Sequence, residues 1–398
     1  MARTRTPEQD LKHALRLVQP VMTLLGVWPS AVDASFATKL LQWSTVAVAL
    51  LLQFLVLVPG ILYVFLKEKS GRRKLGLLLP FIFSSGQLGK YIVILYRMKE
   101  LRDAMIRIKR DWLSATEEDL RVLKTKAEIG YTVMFLVTMT VYTSGLSNRA
   151  IIPLSRGRIV LPDNTTVRML PCATHITLFD VQASPYYEIV FALQVFSGLV
   201  SYSILSGTVG IFTILCLHIC AMLRILIGKM LELTDRTDTD ERNVQAKIVG
   251  IVEYQTKIKE FISNVELITQ YLCFVEIIED TSFMCIVGYC IILEWKNQNI
   301  TATIVFMWVM VTCVCFTFSI CYVGQLLVDE SGNLERTSNT LSWYRLPTRK
   351  ARSLVPVIIM SNSPIKLTAA KVVEVSLSTF TDIVKASVGY LNILRTVI

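Results

Sequence analysis

Six residues near the end of the chain have the spacing with the most chemical content. Ser378, Asp382, Lys385, Gly389, Asn392 and Thr396 recur at steps of three and four, which puts them along one face of a single helix. Apolar stripes flank that line. Phe380, Val384, Val388, Leu391 and Leu394 form one, and Ile383, Ala386, Tyr390, Ile393 and Val397 form the other. A helix of this kind either lines an aqueous pore, with its neighbours packed on the apolar flanks, or lies amphipathically on a membrane surface. The wider stretch from Leu367 to Ile398 has the length of a membrane span. It also holds Lys371, Glu374, Asp382, Lys385 and Arg395, too many charges to rest against lipid.

Bond-making chemistry has no comparable constellation. His13, His175 and His218 are far apart, and eight of the nine cysteines sit in apolar stretches without disulfide or metal-ligand spacing. No phosphate-binding loop, nucleophile elbow or HExxH is present. The expectation is a protein without catalytic residues, metal or cofactor. Glu276, Glu279 and Asp280 form a second charged group inside an apolar run. They read as a solvated face where a helix leaves the membrane, the alternative being a vestibule that gathers cations.

The elements that must position these residues follow from composition. With 53% hydrophobic and 18% charged residues and a mean hydropathy of +0.52, the chain belongs to the membrane class. The net charge of +10 is not gathered into runs interleaved with aromatics, so no nucleic-acid partner is expected. Residues 1–39 read as a cytoplasmic N-terminus with a short interfacial helix. Six spans occupy residues 40–322, the second containing Lys90, which must face protein, water or the headgroup boundary. A proline-bearing loop covers residues 143–185. Residues 323–366 read as an anchor helix and linker, and 367–398 as a seventh span. Charged helical sequence at 97–126 and 224–260 predicts helices that project beyond the bilayer.

Orientation comes from two independent signals. Alternate soluble segments on the side of the N-terminus hold 27 Lys plus Arg against 10 opposite, which places the N-terminus in the cytoplasm. The glycosylation sequons beginning at Asn164 and Asn299 both fall on the outside under this topology. The predicted fold class is therefore an all-α membrane protein with seven transmembrane helices, a cytoplasmic N-terminus, an extracellular C-terminus and helices extended into a cytoplasmic anchor. A seven-span metabotropic receptor coupled to G proteins is the alternative, but it requires the opposite orientation. A transporter would show a repeat between its halves, and none is visible.

Three patches resemble insect odorant receptors. They are Leu25-Gly26-Val27-Trp28-Pro29, then Ser184-Pro185-Tyr186-Tyr187-Glu188-Ile189 with Gln194 and Ser197-Gly198, and finally Ser376 to Arg395, where Phe380, Lys385, Ser387, Tyr390 and Ile393-Leu394-Arg395 match the family's ending. Gustatory receptors usually have a Gln-Phe where this chain has Arg395-Thr396, and residues 224–260 are too short for the co-receptor's insertion.

The resemblance implies a ligand-tuning subunit of an odorant-gated, non-selective cation channel. It further implies a heterotetramer with the co-receptor in the plasma membrane of a sensory neuron dendrite, embedded in membrane lipid. By position in the terminal motif the gate would fall at Ile393 and Thr396 or Val397, with Asn392 on the polar face. The family's odorant pocket lies in the outer half of the membrane among spans two, three, four and six. Depth maps it onto Phe83, Gln87, Thr138, Tyr142, Phe191, Val195, Met307 and Met310, an uncharged lining suited to a small neutral volatile odorant.

Overall fold

A computed structural model describes residues 6–28, 35–66, 71–160, 166–174, 176, 180–233, 241–346 and 348–397. Two short helices open it. Helix α1 (Pro7–Leu15) begins with a capping box, in which Thr6 Oγ1 accepts from Gln9 N and Gln9 Oε1 accepts from Thr6 N. Helix α2 (Val18–Leu24) ends at Gly26, whose φ of 69° suits glycine. Leu11, Leu15, Val18 and Met22 are buried, so both helices pack against the bundle.

The long elements follow in order. They are α3 (Phe36–Leu66), α4 (Gly71–Tyr96), α5 (Met98–Ser114) and α6 (Glu117–Leu146), then α8 (Tyr186–Leu233), α9 (Glu241–Lys296) and α10 (Ile300–Thr340). Among the described residues, α3, α4, α6, α8 and α10 contain helices long and apolar enough to cross a membrane. The other two of the seven expected spans are α9, which carries Glu276, Glu279 and Asp280, and the terminal helix α13 (Leu377–Val397), which carries Asp382 and Lys385. They pack against each other, so each gives the other a surface that is not lipid.

Helix α8 forms the axis of the core, with 89% of its apolar stretch buried. Small residues allow that. Ser197, Gly198, Ser201, Ser206, Gly207 and Gly210 are buried along it and let neighbouring backbones approach closely. Gln53 of α3 donates from Nε2 to Ser201 Oγ (2.9 Å) and to the Ser197 carbonyl (3.1 Å). Helices α8, α9 and α10 all run well past their apolar stretches, in agreement with the expected projection beyond the bilayer. The anchor is completed by α11 (Thr348–Ser353) and α12 (Val355–Ser361).

Two expectations need correction. Residues 143–185 are not one open loop, because helix α6 continues to Leu146, passes through a π-helical turn (Ser147–Ile151) and leads into α7 (Ile152–Arg156). A hairpin of β1 (Arg158–Val160) and β2 (Thr166–Arg168) follows. The terminal stretch is likewise not helical from Leu367. Strands β3 (Thr368–Ala369) and β4 (Val373–Glu374) pair antiparallel across a three-residue connection, in which Ala370 and Lys371 have positive φ and Val372 N donates to the Ala369 carbonyl (3.0 Å). Lys371 and Glu374 thus lie outside the helix, and Glu374 instead pairs with Lys366 at 2.8 Å. Asn299 caps α10, its Oδ1 accepting from Ala302 N, while the sequon residue Asn164 lies outside the described residues.

Candidate functional site

Helices α4, α6, α8, α9 and α10, with the π-helical turn, enclose a cavity of about 70 Å³. Its apolar wall includes Leu79, Phe83, Val141, Leu205, Val309 and Phe316. Ser144, Asn148, Thr312 and Arg149 add polar groups, and Glu276, Glu279 and Asp280 close one side. The lining is therefore not uncharged, contrary to expectation.

The acidic trio is not a solvated face either. All three are at most 7% exposed, because Lys90 reaches them from α4. Its Nζ lies 2.9 Å from Glu276 Oε2 and 2.9 Å from Glu279 Oε2. Gln87 donates from Nε2 to Glu279 Oε1 (2.7 Å), and Thr317 donates from Oγ1 to Asp280 Oδ2 (2.9 Å). Burying a charge is costly unless it is paired and hydrogen-bonded, and the pairing here joins α4, α9 and α10. Gly86 makes the approach possible, since a Cβ there would lie 2.1 Å from Glu279 Oε2. The Arg149 guanidinium, on a residue only 4% exposed that also lines the cavity, donates to the Gln194 carbonyl (2.6 Å) and to Ser84 Oγ (3.4 Å).

Of the residues predicted to bind ligand, Phe83 lines the cavity, its ring 5.8 Å from Tyr202 and 5.6 Å from Phe283. Gln87 and Tyr142 stand one layer behind. Gln87 is spent on Glu279, and the Tyr142 hydroxyl is 2.6 Å from Ser203 Oγ while its ring packs on Tyr202. Thr138, Phe191 and Val195 are half-buried off the wall, Phe191 stacking near Tyr187. Met307 is 53% exposed, and Met310 approaches Gly288 instead.

The wall takes Val141, Ser144 and Gly145 from α6, Tyr202 and Leu205 from α8, and Thr312 and Cys313 from α10. Of the eight expected residues, only Phe83 lines this cavity. Helix α9 also contributes, which the resemblance did not imply. A signal for that was present, since an intramembrane lysine requires acids, and Glu276, Glu279 and Asp280 lie within an apolar run.

A smaller cavity of about 20 Å³ lies beyond the acidic trio. Glu276 and Asp280 border both spaces, and the far wall of the second is Val375, Thr379 and Ile383 at the start of α13. One residue past Asp280, the Thr281 carbonyl lies 3.3 Å from Ser387 Oγ of α13, which shares its proton with the nearer Ile383 carbonyl of its own helix (2.8 Å). Helix α13 buries only the line of Thr379, Ile383 and Ser387. Ser378, Asp382, Lys385, Gly389, Asn392 and Thr396 are all exposed along the other side, as is Ile393 at 59%. Val397 lies within the helix.

A family model described as 7tm Odorant receptor matches residues 75–388, most of the chain. The chain belongs to the odorant receptor family. Similar relatives include Odorant receptor 10 of Aedes albopictus, 21% identical over 60% of this chain, and Odorant receptor 30a of Drosophila melanogaster, 22% identical over 61%. The chain spans 63% of the length of each of those two. Odorant receptor 85c of Drosophila melanogaster is 22% identical over 94% of this chain and 96% of its own length. Among solved structures, the olfactory receptor OR5 from Machilis hrabei in complex with eugenol matches with a TM-score of 0.81, covering 98% of this chain and all of that one at 13% identity. This odorant receptor therefore has the all-α, seven-helix fold and is a multi-pass membrane protein.

Proposed function

We propose that this odorant receptor is the ligand-tuning subunit of an odorant-gated cation channel in the plasma membrane. It assembles with a co-receptor subunit so that the polar faces of the terminal helices surround one pore. The ligand is a small, largely apolar volatile held against Phe83 and its neighbours, with a polar atom directed to Thr312, Asp280 or Arg149. Binding shifts the acidic trio and Lys90, and Ser387 carries the shift to α13, where Asn392, Ile393, Thr396 and Val397 form the narrow outer part of the pore.

One observation carries this reading. The cavity and the terminal helix share a wall, Glu276 and Asp280, while the whole polar stripe of that helix, Ser378 to Thr396, is exposed together with Val388, Tyr390 and Ile393. Lipid on every side would leave Asp382 and Lys385 of that stripe uncompensated, so the stripe needs water or a partner subunit beside it. The eugenol complex of the Machilis receptor supports a ligand of similar size.

The test is whole-cell recording from cells expressing this chain with a co-receptor while G-protein signalling is blocked, using a panel of small volatiles that includes eugenol. The expected result is a cation current that follows ligand application without delay. A response abolished by the block would instead favour the metabotropic alternative.

A further inference from the structure

A second cavity, of about 50 Å³, lies nearer the cytoplasmic end of α6 and α8, where α1, α2 and α5 cover them. Leu15, Val18, Ile108, Trp112, Met134 and Leu217 make it predominantly apolar. Lys126 also borders it, but its Nζ is held by Glu330 Oε1 at 2.7 Å. His218 is different. Its side chain is 3% exposed, and its Nε2 lies 3.0 Å from Asp111 Oδ2, while its Nδ1 is buried with no hydrogen-bond partner among the described residues. A carboxylate only accepts, so Nε2 carries the proton of that pair. The other ring nitrogen is left without a partner on a residue that lines this space and packs edge-on against Phe261 (5.2 Å), an arrangement that proteins rarely leave unfilled.

We propose that this cavity binds a small aliphatic alcohol, its hydroxyl on His218 Nδ1 and its hydrocarbon part against α1, α5 and α6. A hydroxyl both donates and accepts, so it pairs with Nδ1 whether or not that nitrogen bears a proton. A ketone or ester only accepts, and an ion would find no free compensating charge, because Lys126 is already paired with Glu330. The location fits the same chemistry. Ala127, where the apolar part of α6 begins, lines the cavity, which places it at the headgroup level where an alcohol has its hydroxyl in polar surroundings and its chain in the apolar layer. Helix α1 covers the space and is fastened by Asp10 to Lys124 at 2.7 Å and by the Arg16 guanidinium 3.9 Å over the Tyr131 ring. This site is separate from the cavity at Phe83 and does not depend on channel activity.

The full-length receptor, purified into lipid nanodiscs, is tested by its thermal unfolding midpoint against 1-hexanol, 2-hexanone and hexane. The expected result is a saturable rise with 1-hexanol that exceeds the other two. The apparent affinity falls about tenfold in His218→Leu, recovers in His218→Gln, and is lost when Ala14→Phe fills the space. An equal response to hexane, or a 1-hexanol response that survives Ala14→Phe, means that water alone satisfies His218 and overturns the proposal. Labelling of the unsubstituted protein with a diazirine-bearing aliphatic alcohol provides a check independent of the variants' folding. Adducts on α1, α5 or the 123–134 part of α6 support the site, and adducts confined to the surroundings of Phe83 refute it.

Discussion

Lys90 of α4 and Glu276 of α9 meet at 2.9 Å in a part of the bundle where neither side chain reaches solvent. They are 186 positions apart in sequence, and their contact fixes the rotation of both helices about their axes. Removing one partner of such a pair leaves a buried charge without compensation. Lys90→Met is therefore expected to cost about 3–5 kcal/mol, seen as a lower unfolding midpoint and less receptor at the cell surface. Adding Glu276→Gln and Glu279→Gln to Lys90→Met should recover much of that loss, because the uncompensated carboxylates go with it.

Gly86 supports a second prediction. A methyl group there would overlap the Glu279 carboxylate, whereas at Gly228 nothing lies within 4 Å. Gly86→Ala should lower folded yield sharply. Gly228→Ala, in the same test of surface expression, should be neutral or gain up to about 1 kcal/mol from helix propensity.

For ligand response, Phe83→Ala should raise the half-maximal concentration of an activating odorant by roughly tenfold, the worth of lost aromatic contacts. Met307→Ala, at an exposed position, should shift it less than twofold by the same standard. A concentration series for each variant separates the two, and equal shifts would place the ligand elsewhere.

The Ser387 hydroxyl joins α13 to the Thr281 carbonyl beside the acidic trio. Ser387→Ala removes a bond worth about 0.5–1.5 kcal/mol without touching the odorant cavity. The expected effect is a change of up to about tenfold in the open-to-closed ratio, read as altered maximal current, with single-channel conductance unchanged. A change in conductance instead would mean that Ser387 borders the ion path itself.

Five of the crossings were legible as long apolar runs, and the polar stripe from Ser378 to Thr396 was legible because helical spacing alone defines it. Rotation was the missing quantity. Helix α8 is buried nearly all round, so no periodicity tells which side meets the cavity, and Tyr202 and Leu205 were overlooked in favour of Phe191 and Val195. The acidic trio was misread for another reason. Taken with its own helix it resembles a wet face, and only Lys90 on a distant segment makes burial affordable. Arg149 was hidden because the helix carrying it continues through a π-helical turn into sequence whose prolines suggested a loop.

The central claim is that the exposed face of α13 borders the ion path. The most direct measurement introduces cysteine singly at Asp382, Lys385, Gly389, Asn392 and Thr396, and at buried Ile383 for comparison, in a Cys315→Ser background that removes the exposed native thiol. A membrane-impermeant thiol reagent is then applied from each side during odorant-evoked current. Block or altered conductance at the stripe positions, absent at Ile383, is the predicted result. Current that persists unchanged with every stripe position modified would contradict the account.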